Sequence, residues 1–289
     1  MDTNRLTDKP AALGEGPCWH EAEEALYWID ILGKQLHCYH PADQQSQVWD
    51  LPEMVGTVAP RASGGLLLAL QSGLAFFDQQ TGHLTPLPII DANPRTRFND
   101  GKCDPQGRFW FGSMDIEEKE NLGKLYSMDH DGRVKLWVEN IGVSNGMTWS
   151  PDNRTMYYID SPTRRIDMFD FDSVNGSISN RRELVTFEEG EGFPDGMTSD
   201  TEGYLWVAHW AGGCVSKRCP STGKQITSIS TQAYQTSACC FGGSELRDLY
   251  ITSAKVNLTG DQEAAYPQSG HLFKRTEQVP GCPTYPYRG

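Results

Sequence analysis

The chain has 289 residues and 38% hydrophobic content, with 25 basic residues against 38 acidic ones and a formal net charge of −13. That acidity argues against nucleic acid or an anionic membrane surface as a partner, and no run approaches the roughly 18 apolar residues of a membrane span. The opening stretch, MDTNRLTDKPAALGEG, is polar and lacks the apolar segment of a secretory signal, so a cytoplasmic protein is expected.

Read from the N-terminus, six short β-rich runs recur: ALYWID (25–30), GLLLAL (65–70), RFWFGS (108–113), MYYIDS (156–161), YLWVAH (204–209) and DLYITS (248–253). Their starts lie 40 to 48 residues apart. Turn segments such as EAEE, ASGG, DPQG, SPDN and DTEG introduce them, and second strand-like segments follow, among them QLHCYH, LAFFD, KLYSMD and RIDMFDFD. The 29 glycines and 17 prolines suit this many turns. No stretch reads as a long amphipathic helix, and the charged DIEEKEN (115–121) is too short to be anything but a loop. The repeat length fits about four strands per unit, so the expected fold is all-β: a six-bladed β-propeller of four-stranded antiparallel blades around a central channel, in one domain spanning 1–289. Two stacked sandwiches are the alternative. Even spacing along the whole chain favours the ring, because each blade needs a neighbour on both sides. The 8 cysteines have no regular spacing and no C-x-x-C pair, so they read as reduced thiols rather than a disulfide framework or a zinc ribbon.

Four units share a further pattern. A polar residue precedes a turn opener by five positions in Glu15-GPCW-His20, Asn99-DGKC-Asp104, Asn145-GMTW-Ser150 and Asp195-GMTS-Asp200. Thr57 and Ser237 align with them in the second and sixth units. In a ring these segments form the innermost strands, so Glu15, Asn99, Asn145 and Asp195 should converge at one mouth of the channel. Two carboxylates at close range repel unless a counter-charge is present. A divalent cation supplies one, and an all-oxygen donor set suits Ca, Mg or Mn better than Zn. The alternative is that these residues satisfy backbone groups and hold water.

The segment Gly142-Val143-Ser144-Asn145-Gly146 also matches G-x-S-x-G, the nucleophile elbow of serine hydrolases. That elbow needs a strand, a sharp turn and a helix. Here MTWSPDN follows, a strand entering a turn, so Ser144 is not expected to be a nucleophile. His130 and His209 have no spacing that pairs them with it.

Over nearly its whole length the chain resembles the regucalcin/gluconolactonase family of metal-dependent sugar lactonases. The resemblance rests on LGEGPCW (13–19), RFNDGKCDPQGRFWFGSM (97–114), SNGMTWS (144–150), YYIDS (157–161), ISNRR (178–182), PDGMTSDTEGYLWVAHW (194–210), SACCFGG (237–243) and the Tyr-Pro-Tyr-Arg-Gly terminus. It implies one catalytic divalent metal (Ca, Mn, Mg, Zn or Fe) held by Glu15, Asn145 and Asp195. It implies substrate contacts from Arg97, Asn99 and Glu117, with Glu118 as the second choice for the last. The implied reaction is hydrolysis of an aldonolactone such as L-arabinono-, D-xylono- or D-gluconolactone, with Asp195 activating water. The expected partner is this small sugar lactone alone, and the protein is expected to be a monomer. A calcium-binding propeller without catalysis and a hydrolase of organophosphates or bulky lactones are the other readings. The loops 115–122 and 255–268 are expected to select among lactones.

Overall fold

A computed structural model describes residues 3–289. It contains six four-stranded antiparallel sheets, each one blade of a six-bladed β-propeller. The inner strands are Gly14–His20, Val55–Pro60, Thr96–Cys103, Ser144–Trp149, Phe193–Ser199 and Gln235–Gly242 for blades 1 to 6. Next outward lie Ala25–Asp30, Leu66–Leu70, Phe109–Asp115, Thr155–Asp160, Leu205–Trp210 and Asp248–Ala254. These are the six recurring runs of the sequence, and the expected fold class is the one observed.

The runs read as near-continuous apolar stretches because both faces of each blade are covered. In blade 1, Tyr27 and Ile29 pack toward blade 2 with Leu66 and Leu68. Leu26 and Trp28, pointing the other way, pack with Tyr250 and Cys240 of blade 6. Alternation along a strand sends successive side chains to opposite faces, and here both faces meet a neighbour. Six apolar clusters fill the six junctions between blades in this way.

Sequence order does not close the ring. The outer strand of blade 6 is the N-terminal segment Asn4–Arg5, which pairs antiparallel with Phe273–Thr276. The sixth sheet thus joins the two ends of the chain, and blade 6 cannot be completed without both. The C-terminal segment then crosses the face opposite the candidate site. Gly281 N donates to Leu246 O and Cys282 N to Ser199 O at one side, and Tyr287 N donates to Pro60 O and Arg288 N to Gly107 O at the other. The α-helix among the described residues, Gly260–Ala265, starts at a Thr259/Gln262 capping box. No helix among them is long and apolar enough to cross a membrane. All eight cysteines are free thiols.

Every inner strand is bulged near its start. The register shifts fall between Glu15 and Cys18, Val55 and Thr57, Phe98 and Gly101, Ser144 and Met147, Pro194 and Met197, and Thr236 and Ala238. A bulge releases a residue from the ladder and re-aims its side chain. Just past it the strands of adjacent blades nearly touch. A Cβ on Gly146 would lie 2.5 Å from the carbonyl oxygen of Asp195, and one on Gly196 would overlap Ala238.

Gly196→Ala is therefore expected to cost about 1–3 kcal/mol or more through overpacking, whereas Gly73→Ala, where nothing lies within 4 Å, should change stability by about 0.5 kcal/mol or less. Urea denaturation of both variants checks this. Equal midpoints would show that the inner strands can spread.

Candidate active site

The bulges bring their side chains to one mouth of the channel. A cavity of about 300 Å³ opens there, with Glu15, Arg97, Asn99, Asn145, Asp195 and Glu118 among its lining groups. Glu15, Arg97, Asn99, Asn145 and Asp195 are all buried. Apart from Ser161, its remaining wall is apolar and includes Leu13, Ile31, Met114, Val143, Phe193 and Trp210. Thr57 and Ser237, the aligned residues of blades 2 and 6, take a different course. Thr57 Oγ1 donates to Gly101 O at 3.0 Å and Ser237 Oγ to Gly14 O at 2.5 Å. At those two positions the polar residue satisfies the backbone of a neighbouring blade.

Hydrogen bonds fix the orientation of the polar side chains. Arg97 Nη1 donates to Asn99 Oδ1 at 2.6 Å and to Phe98 O at 3.1 Å. Asn99 Nδ2 donates to Ser144 O at 2.8 Å and to Asn145 Oδ1 at 3.3 Å. Asn145 Nδ2 donates to Ser161 Oγ at 2.9 Å, and Ser161 Oγ donates onward to Pro194 O at 2.6 Å. This relay anchors the nitrogen side of the Asn145 amide toward Ser161, on the side of Pro194.

The loops entering two inner strands are held by carboxylates from the adjacent strand. Asp30 accepts from Ala12 N and Leu13 N, just before Glu15. Asp160 accepts from Gly142 N and Val143 N, just before Asn145.

Charge is concentrated on the axis. Burial raises the Glu15 carboxyl to about 8, with the Asp100 carboxylate adding to the rise and Gly16 N–H and Arg97 opposing it. Asp195 is raised well above the carboxylate range, first by burial and then by Glu15 and Asp100. Burial also raises Asp100, against the pull of Lys102. Arg97 is lowered to about 10 by burial, although Glu118, Glu15 and Asp195 all favour its charge. Glu15 and Asp195 thus lie near Arg97 in the cavity, with Asp100 and Lys102 lining the space beyond it on the axis, and one Asp195 oxygen, Oδ1, is buried with no hydrogen-bond partner. A buried, unpartnered carboxylate oxygen is costly. A hard cation fits this deficit of positive charge, and Glu15, Asn145 and Asp195 offer it oxygen donors. Among the described residues no three His, Cys, Asp or Glu side chains converge to form a metal site without such an amide.

The residues expected from the sequence divide as follows. Glu15, Asn145, Asp195, Arg97 and Asn99 meet in the cavity. Glu117 does not reach it. Its carboxylate pairs with Lys119 Nζ at 2.9 Å in solvent, and Glu118 lines the cavity instead. The reason is local: Glu118 adopts φ 55° while Asp115 accepts the backbone N–H groups of Glu117, Lys119 and Glu120, which turns the loop so that the later residue faces inward. The 255–268 loop contributes no lining residue. Ser144 is fully buried, and its Oγ accepts from Tyr158 OH at 2.7 Å. His209 contacts Glu191 O and Ser216 Oγ, and His130 contacts Gln106 O, so neither ring serves Ser144. The sequence reading missed Ser161 and the aromatic wall, which belong to no repeated pattern and so carried no signal that could have found them.

The family model described as the SMP-30/Gluconolactonase/LRE-like region matches residues 13–255. Regucalcin of Danio rerio is 39% identical over 280 residues, covering 96% of this chain and 95% of its own. A protein of Bacillus subtilis (strain 168) named "Putative sugar lactone lactonase YvrE" is 34% identical, covering 100% of this chain and 99% of its own. Among solved structures, a calcium-binding protein, regucalcin, from Agrobacterium tumefaciens str. C58 superposes with a TM-score of 0.95 at 30% identity, covering 100% of this chain and 98% of that one.

A carboxyl raised from 4.5 to about 8 disfavours folding once it must ionise, so its stability contribution is lost as pH rises through that window. Chelator-treated protein should therefore lose melting temperature as pH rises from 4.5 to about 8. Glu15→Gln should flatten that dependence. Calorimetry showing the same pH profile in both proteins would refute the charge assignment.

Proposed function

The chain belongs to the SMP-30/gluconolactonase/LRE-like family, and from that premise we propose that it hydrolyses sugar lactones to the open-chain acids with one divalent cation at the channel mouth. The observation that carries the reading is the meeting of Glu15, Asn145 and Asp195 in a cavity that also holds Arg97 and Asn99. Glu15, Asn145 and Asp195 would hold the cation. Once bound, it would supply Lewis acidity that stabilises negative charge on the carbonyl oxygen.

The chain's own groups do the rest. Asp195 Oδ1 has no hydrogen-bond partner and lines the cavity, so as a carboxylate it can take a proton from the attacking water and return it to the ring oxygen as that bond breaks. Arg97 has Nη1 committed to Asn99 and Phe98, so its other N–H groups are the ones offered to sugar hydroxyls. Glu118, beside Arg97, can accept from a hydroxyl. Fixing the ring against these groups lowers the entropic part of the barrier. No covalent intermediate is required, which agrees with Ser144 being sealed under Tyr158.

The cation Ca is suggested by the description of the Agrobacterium relative. That description also favours a second reading, a calcium-binding propeller without turnover. The Arg97–Asn99 pair supports the enzyme, because ion binding alone does not call for it. Each blade already covers its neighbours' faces, which supports a monomer, and the cytoplasm remains the proposed location.

A panel of aldonolactones assayed on metal-stripped protein refilled with single ions separates the two. Chelator-sensitive turnover supports the lactonase, and calcium binding with no turnover supports the other. Asp195→Asn should lower kcat by about 10²–10⁴-fold with the fold intact. Ser144→Ala should leave kcat within about 2-fold while costing about 1–3 kcal/mol of stability, since Tyr158 OH loses its buried acceptor.

A further inference from the structure

The cavity has two unlike sides. Its hydroxyl-reading groups Arg97, Asn99 and Glu118 all come from blade 3, whereas blade 5 contributes Phe193 and Trp210 beside Asp195. Phe193 lies two residues before Asp195 on the same inner strand, and both line the cavity. Trp210 is directly opposite Phe193 in the strand register. The pair therefore forms an aromatic ledge in the wall of the cavity that Asp195 also lines.

This ledge is a built feature. Phe193 is 38% exposed, a large apolar side chain left partly open. Its position is fixed by Arg164, whose guanidinium carbon lies 4.6 Å from the Phe193 ring centroid. Arg164 is itself pinned: Nε donates to Phe187 O, and Nη2 donates to Glu188 O and to Gly192 O. Those carbonyls belong to the loop that leads into the inner strand of blade 5. The guanidinium thus ties the loop and covers the ring at once, and a pre-positioned aromatic surface holds an apolar ligand group at little entropic cost.

The geometry points to Phe193 and Trp210 as specificity-determining residues that receive an apolar edge of the lactone, such as the methyl group of a 6-deoxyaldonolactone, while blade 3 reads the ring hydroxyls. A hydroxyl in place of that methyl would be buried against the ledge without a hydrogen-bond partner. The inference rests on the lactonase reading and narrows its substrate class.

The test compares a 6-deoxyhexonolactone with the hexonolactone of the same ring stereochemistry, using Ca-loaded protein. Wild type should favour the deoxy compound by about 10-fold in kcat/KM. Phe193→Ser, at a partly exposed position, should erase that preference by raising KM for the deoxy compound more than for the hexonolactone. Equal kcat/KM for the two in wild type, or an unchanged ratio in Phe193→Ser, would overturn the ledge. If neither lactone is opened, calorimetric titration with the same pair decides. An approximately 10-fold difference in Kd that Phe193→Ser removes would keep the ledge while ending the lactonase reading, and equal Kd values would end both.

Discussion

Close approach of neighbouring inner strands is the constraint on which the rest of the molecule depends. Six strands can surround one axis only if their backbones nearly touch, and Gly146 and Gly196 permit that by having no Cβ to strike Asp195 O or Ala238. The bulge at the same level frees one residue per blade from the ladder. Crowding and bulge act together: side chains far apart in sequence arrive within hydrogen-bonding distance, as the Asn99–Asn145 contact at 3.3 Å shows. At four of the six positions, Glu15, Asn99, Asn145 and Asp195, the residue lines the cavity. The other two, Thr57 and Ser237, are spent on backbone carbonyls.

The same convergence loads the axis with charge. Glu15, Asp100 and Asp195 are raised chiefly by burial, so each is held in a protonation state that water would not favour. Such groups weaken the fold and are typical of functional sites. Arg97 and Lys102 offset part of this, Lys102 from below with its Nζ on Met197 O at 2.7 Å. The apolar junctions between blades carry the stability that the channel gives up.

The two faces of the propeller are treated differently. On the cavity face, carboxylates at the ends of second strands tie down the entering loops, Asp30 before Glu15 and Asp160 before Asn145. On the opposite face the C-terminal segment bridges blades 5 and 6 to blades 2 and 3. Its Tyr287 is buried in the blade 2–3 junction, and its hydroxyl donates to Asp129 O at 2.8 Å.

What the sequence determined by itself was everything that repeats. Runs such as ALYWID and YLWVAH announce strands covered on both faces, and their spacing implies six blades; Glu15, Asn99, Asn145 and Asp195 recur at one place in the unit, so their meeting follows from ring closure. What only the tertiary structure decided was everything that occurs once. Glu118 faces inward rather than Glu117 because a left-handed backbone turn and three N–H bonds to Asp115 set the direction of that loop, and no periodicity encodes a loop's direction. The pairing of Asn4–Arg5 with Phe273–Thr276 and the seating of Arg164 over Phe193 are likewise single contacts. The first joins the chain's two ends, the second joins different blades, and such contacts come into being only when the folded ring brings those segments together.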